Sequence, residues 1–120
     1  MNPVYGPDGK VTAWLFSDVL YSLNGTPVAY LSGENVLNFS GAHCGVLKNL
    51  FFRDHHGDVV GFLKGASGGP KLPVPLPPPP APMKGLAPMR PPAPMSPVQA
   101  MATYNWSRLA WQQFVLPPSA

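Results

Sequence analysis

Two carboxylates and two imidazoles stand together in Asp54-His55-His56-Gly57-Asp58, the one cluster of titratable side chains in the sequence. Neighbouring histidines at a chain reversal are suited to ligating a metal or to moving a proton near neutral pH. Position reduces that appeal. His56 directly precedes a glycine, as Asp8, Asn24 and Ser40 do elsewhere, so it reads as a turn residue. His55 then faces Asp58 across the turn as an ordinary surface pair. A second candidate pair, His43 and Cys44, consists of neighbours on a strand, whose side chains point to opposite faces and do not meet as base and nucleophile. Cys44 replaces Thr12, Val28 and Val60 of equivalent segments and reads as a small packing residue. There is no zinc-type Cys/His spacing, no phosphate-cradling glycine loop and no nucleophile elbow. The sequence therefore assigns no catalytic residue, no metal and no cofactor, and it predicts a protein that is not an enzyme.

The elements that position these residues come from a repeat. Gly9, Gly25, Gly41 and Gly57 are spaced by sixteen residues. Four residues beyond each stands a small residue (Ala13, Ala29, Gly45, Gly61), and two further on a leucine (Leu15, Leu31, Leu47, Leu63). Five residues before each glycine stand Val4, Leu20, Val36 and Phe52. Asp8-Gly9 and Asn24-Gly25 are preferred central pairs of a two-residue type I′ turn, so each repeat predicts a β-hairpin. Such turns pair Val4 with Ala13, Leu20 with Ala29, Val36 with Gly45 and Phe52 with Gly61. One face then repeats a large residue, a small one and a leucine, and the small column marks close approach of the hairpins near an axis.

The opposite face carries Tyr5, Tyr21, Leu37 and Arg53 beside Trp14, Tyr30, Val46 and Phe62, with Phe39 and Phe51 joining them. Apolar residues on both faces of short strands imply burial on both sides. The tail, or another copy of the chain, must cover the second face. The expected fold class is all-β: four sequential hairpins in pseudo-four-fold arrangement, also readable as a small eight-stranded barrel, followed by an extended tail and a short helix. The domains fall at 1–67, 68–98 and 99–120.

The 120 residues include 18 prolines, most of them in the tail, and such a segment cannot feed amide donors to a sheet or helix. Residues 68–98 read as polyproline II in two runs broken at Lys84-Gly85. Residues 105–115 predict two to three helical turns, capped by Asn105 and stopped by Pro117, with Trp106, Leu109, Ala110 and Phe114 on one face and Trp111 to the side. Trp106, Leu109, Trp111 and Phe114 are the expected docking residues. Residues 1–67 carry a net charge of −1 and residues 68–120 a net charge of +4 with no acid. Four cations over that length are too sparse for a nucleic-acid footprint, and the segment at 105–115 has only Arg108 for a membrane surface. No apolar run approaches the roughly 20 residues of a bilayer span, and no secretory signal is apparent. The single Cys44 suits a reducing compartment, so a cytoplasmic location is expected.

The chain resembles the uncharacterised bacterial proteins that carry the four-fold beta flower domain. The resemblance lies in the Gly-Thr-Pro-Val-Ala-Tyr-Leu repeat at 25–31, in Phe51-Phe52-Arg53-Asp54 followed by His-Gly, and in the Gly-Ala-Ser-Gly-Gly-Pro exit at 65–70. It continues through the proline-rich stretch to Trp106-Ser107 and Phe114. It implies a pseudo-four-fold set of hairpins and brings no activity and no catalytic residues. The function expected from the sequence is a structural or interaction protein that self-associates through its proline-rich tail as a dimer or larger. The tail could also serve a protein partner. The alternative is a small-ligand or peptide binding module using an aromatic face of Tyr5, Trp14, Tyr21, Tyr30, Phe39, Phe51 and Phe62.

Overall fold

In a computed structural model, which describes residues 1–92 and 97–116, the chain forms eight antiparallel strands in sequence order, closed into a barrel. The strands are β1 (Asn2–Tyr5), β2 (Val11–Phe16), β3 (Val19–Tyr21), β4 (Pro27–Ser32), β5 (Asn35–Asn38), β6 (His43–Lys48), β7 (Phe51–Arg53) and β8 (Val59–Phe62). A five-residue helix, α1 (Trp111–Val115), follows. The register is the one the repeat dictates: Val4 opposite Ala13, Leu20 opposite Ala29, Val36 opposite Gly45 and Phe52 opposite Gly61. Closure rests on Tyr5 opposite Phe62, whose rings stack at 5.5 Å.

The turns differ from the type I′ expectation. Asp8, Asn24, Ser40 and His56 all keep negative φ, and only the glycines are left-handed, with φ of 80°, 91°, 94° and 83°. Each tip is instead a four-residue turn closed by the glycine amide, as from Gly9 N–H to Gly6 C=O at 3.0 Å. One residue of slip follows, so Tyr5 lies opposite Val11. This is a type I turn with a glycine bulge, which needs only one left-handed residue. The two-residue turns lie between repeats, where Phe16 meets Val19, Ser32 meets Asn35 and Lys48 meets Phe51. Asn49 and Leu50 take positive φ there.

The inner face buries Val4, Ala13, Leu20, Ala29, Val36 and Phe52, with Leu31, Leu47 and Leu63 packed against them. The core is completed by α1, whose Trp111, Phe114 and Val115 are buried in it. Trp111 meets Phe52 edge-on at 5.2 Å. The expected helix over 105–115 is thus corrected in length and in place. It starts only at Trp111, after an extended Ala110, and it packs on the small-residue face rather than the aromatic one. The reason for the late start is that residues 103–107 are already committed to the barrel. Val59 N–H donates to Asn105 C=O at 3.0 Å, and Ser107 N–H to Val59 C=O at 2.7 Å, giving a parallel bridge from Val59 to Trp106. Asn105 caps nothing, Leu109 is 40% exposed, and Pro117 lies outside the described residues.

The small column of the repeat lies where cross-strand neighbours, and at Gly45 also the helix, come close. A Cβ on Gly45 would come 2.1 Å from Arg53 C=O and 2.6 Å from Phe114, and one on Gly61 would come 3.1 Å from Val4 and 3.2 Å from Tyr5 C=O, with Trp111 at an ordinary 3.5 Å. The first two repeats carry alanine at this position, and the two beside the helix carry glycine.

Candidate functional site

The surface that sets this chain apart is the seat of its tail. Between residues 70 and 102 the described chain has neither helix nor strand, and it passes the four hairpin tips in order. Leu76 N–H donates to Gly9 C=O at 2.9 Å, Gly85 N–H to Gly25 C=O at 2.9 Å, and Thr103 N–H to Gly57 C=O at 3.2 Å. The first two donors are nine residues apart, and the last is two nines further on. The position between them is Pro94, which has no amide to give and lies outside the described residues. Pro91 marks that third tip, 3.6 Å from where a Gly41 Cβ would stand. Pro73, Pro82, Pro91 and Ala100 turn inward at the same nine-residue step. Nine extended residues at about 3.1 Å each span about 28 Å, which is also about a quarter of the perimeter of a body 37 × 35 Å across. A nine-residue strap thus keeps pace with a sixteen-residue hairpin. In this structure the strap lies on the tips of its own barrel.

Two cations fasten the strap between tips. Arg90 pairs with Asp18 at 2.8 Å and lies 4.6 Å from the Tyr30 ring centre, and the Lys84 ammonium sits 3.7 Å over Phe16. Arg90 holds the Asp18 carboxyl below the usual range through their hydrogen bond, and Asp18 raises Arg90 in return. At the last tip the clamp is polar: Arg53 donates through Nη1 to Gly57 C=O at 2.7 Å and Thr103 C=O at 2.8 Å. Asp54 accepts from the His56 and Asp58 amides and from the Ser107 hydroxyl. At the third tip Asn38, also buried, accepts from Ser40 and Ala42 and donates to Val115 C=O at 3.1 Å, tying α1 down.

The seven aromatic residues expected to form a ligand-binding face do not share one open surface. Tyr5, Phe51 and Phe62 form one buried cluster, against which Leu72 and Trp106 of the tail pack. Trp14 and Tyr21 form another with Val19, and Phe39 and Met1 join it. Tyr30 is buried against Phe39 at 5.3 Å and beneath Arg90. Among the expected docking residues, Trp106 stacks edge-on to Phe62 at 6.1 Å and donates to Lys71 C=O at 3.3 Å. Trp111 and Phe114 dock inside the barrel, and Leu109 does not dock.

The histidines depart from the sequence reading. His55 does not face Asp58; it leaves its own turn and stacks on His43 of the preceding repeat, ring centres 5.2 Å apart. His43 Nε2 bonds Asn35 Oδ1 at 2.9 Å, so it carries the proton, and His43 Nδ1 accepts from His55 Nε2–H at 3.0 Å. Burial, and then the neighbouring His55, hold His43 below its ordinary value. Cys44 points the other way into the core, where burial pushes its thiol up to about 12, so it is no nucleophile at neutral pH. Among the described residues no group of three His, Cys, Asp or Glu is placed to hold a metal ion. No helix among them is long and apolar enough to cross a membrane.

Four sixteen-residue hairpins closed into one barrel, with a strap across their tips, define a class of pseudo-four-fold β proteins. The family model of the 4-fold beta flower protein matches residues 2–115, strap and plug helix included, and the chain belongs to that family. No curated protein and no solved structure matches it.

Proposed function

We propose that this beta flower protein is a non-enzymatic interaction module that associates with further copies of itself through the outer face of its proline-rich strap. The observation that carries this reading is the strap's own surface. Val74, Met83, Leu86, Met89, Val98 and Met101 are 81–98% exposed on a segment whose other side is pinned to the barrel. Exposed apolar surface of this extent, held in place, marks an interaction site more often than a solvated one. A second copy fits it better than a charged partner does. Lys84 and Arg90 fold back onto Phe16 and Asp18, so the belt between them presents no outward charge to pair or to repel. An identical belt offers the matching apolar face that a two-fold contact needs. Methionine adapts to such contacts at low cost because its side chain is unbranched.

The test is solution mass by light scattering on the full chain and on a Met83→Glu/Met89→Glu/Met101→Glu variant. A dimer or larger species for the parent and a folded monomer for the variant support the proposal. A monomeric parent across the micromolar range, or a variant of unchanged mass, contradicts it.

A further inference from the structure

The outer column of the repeat runs Tyr5, Tyr21, Leu37 and then Arg53, so a guanidinium occupies a place where symmetry has buried apolar side chains. Arg53 is itself 6% exposed. Removing an unpaired cation from water is costly, and such groups are normally matched by a carboxylate. Among the described residues no carboxylate lies within 4.0 Å of it. The nearest acids are occupied elsewhere: Asp58 accepts from the Thr103 hydroxyl at 2.6 Å, and Asp54 accepts from its own turn and from Ser107. Both hydrogen bonds that the described residues give Arg53 are made by Nη1, which leaves Nε and Nη2 without acceptors. Neither of those nitrogens is sealed away from solvent.

Arg53 lines two adjoining cavities, separated by the strap at Gln99 and Ala100. The first, of about 210 Å³, contains Glu34, Asp54 and the histidine pair, and so already has negative charge. The second, of about 380 Å³, is bounded by Lys48, Asn49, Phe51, Ser67 and Gly68 and by Met101 of the strap. It holds two cations and no carboxylate. The Arg53 guanidinium carbon lies over the Phe51 ring, 5.3 Å from its centre.

We propose that this second cavity is a binding site for a small oxyanion, a carboxylate or phosphate group, held by the free edge of Arg53 and by the Lys48 ammonium. A planar guanidinium edge with two parallel N–H groups matches two oxygens of either anion, and Lys48 adds a mobile point charge from the rim. The bound anion supplies the counterion that the fold withholds from Arg53. Because Arg53 also clamps the strap through Thr103, the anion and the strap share one side chain.

The experiment is calorimetric titration of the full chain with inorganic phosphate and, separately, with succinate, at low ionic strength. Saturable one-to-one binding of either is expected, and which one saturates distinguishes a phosphate ligand from a carboxylate ligand. Lys48 is exposed, so Lys48→Ala leaves the fold intact and should weaken binding about tenfold, the scale of one charge-assisted contact. Lys10→Ala removes an exposed cation that does not line this cavity and should change nothing. Arg53→Gln should abolish binding, and Lys48→Ala decides the matter if that variant loosens the strap. Absence of saturation by both anions, or equal binding by the parent and Lys48→Ala, overturns the proposal.

Discussion

Replacing Gly57 by alanine should destabilise the protein far more than the same change at Gly68, although both glycines have φ of +83°. Alanine at that φ costs about 1–2 kcal/mol anywhere, and this cost is common to the two sites. At Gly68 a new Cβ has nothing within 4 Å. At Gly57 it would lie 2.1 Å from Met101 C=O, against 3.4 Å or more for an ordinary contact, so the strap must retreat by about 1.3 Å. That retreat breaks the 3.2 Å bond from Thr103 N–H to Gly57 C=O, about 1 kcal/mol, and strains the Arg53 clamp on Thr103 for about as much again. The excess over Gly68→Ala is therefore about 2 kcal/mol, or roughly 8 °C in melting temperature for a domain of this size. Gly25 and Gly65 form a second matched pair, at 91° and 92°, with Met83 C=O 2.0 Å from the Gly25 Cβ position and only a leucine methyl 3.8 Å from that of Gly65. Thermal and urea unfolding of the four variants measures both differences. Equal losses within each pair would refute a strap seated on the tips.

Phe114→Ala should cost about 3–5 kcal/mol in urea unfolding and shift Trp111 fluorescence to the red, since it empties the plug of the barrel; a loss below about 1 kcal/mol would mean the helix is not core. Arg90→Gln should cost less than about 1 kcal/mol, because the pair it breaks is 41% and 49% exposed, and about 1 M salt should shrink the difference. Acid should destabilise the protein through His43. The unfolded chain takes up that proton near pH 6.5 while the folded one holds out to lower pH, so stability is full above about 6.5 and falls below it. Urea midpoints at pH 7.5 and 5.5 should therefore drop further in the parent than in His43→Gln, and parallel drops would contradict the assignment.

The strands and their register were legible because a sixteen-residue period constrains every column at once. The type of turn was not, since Asp8-Gly9 and Asn24-Gly25 suit both a type I′ turn and a bulged type I turn, and the slip shows only in the pairing of Tyr5 with Val11. The plug helix left a trace at Gly45 alone, where a Cβ would meet Phe114 at 2.6 Å, and that has meaning only once Phe114 is known to sit there. The strap's nine-residue step was present at Pro73, Pro82, Pro91 and Ala100 but hidden by the prolines around it, since prolines also fill the outward-facing positions between them. Val59 claims the backbone at Asn105 and Ser107, and that non-local demand shortened the helix. The meeting of His43 with His55 joins two repeats and has no local signature. Arg53 was visible as the odd member of its column, and its missing counterion emerged only from the packing.

Amide hydrogen exchange of the full chain, resolved by residue, tests the strap most directly. Protected amides are expected at Leu76, Gly85 and Thr103, one for each tip they bond, and docking within the chain requires that protection to be independent of protein concentration. At protein concentrations too low for self-association, Met83 and Leu86, whose amides make no backbone bond among the described residues, should exchange at open-chain rates. Uniform fast exchange from residue 72 to residue 103 would contradict that docking.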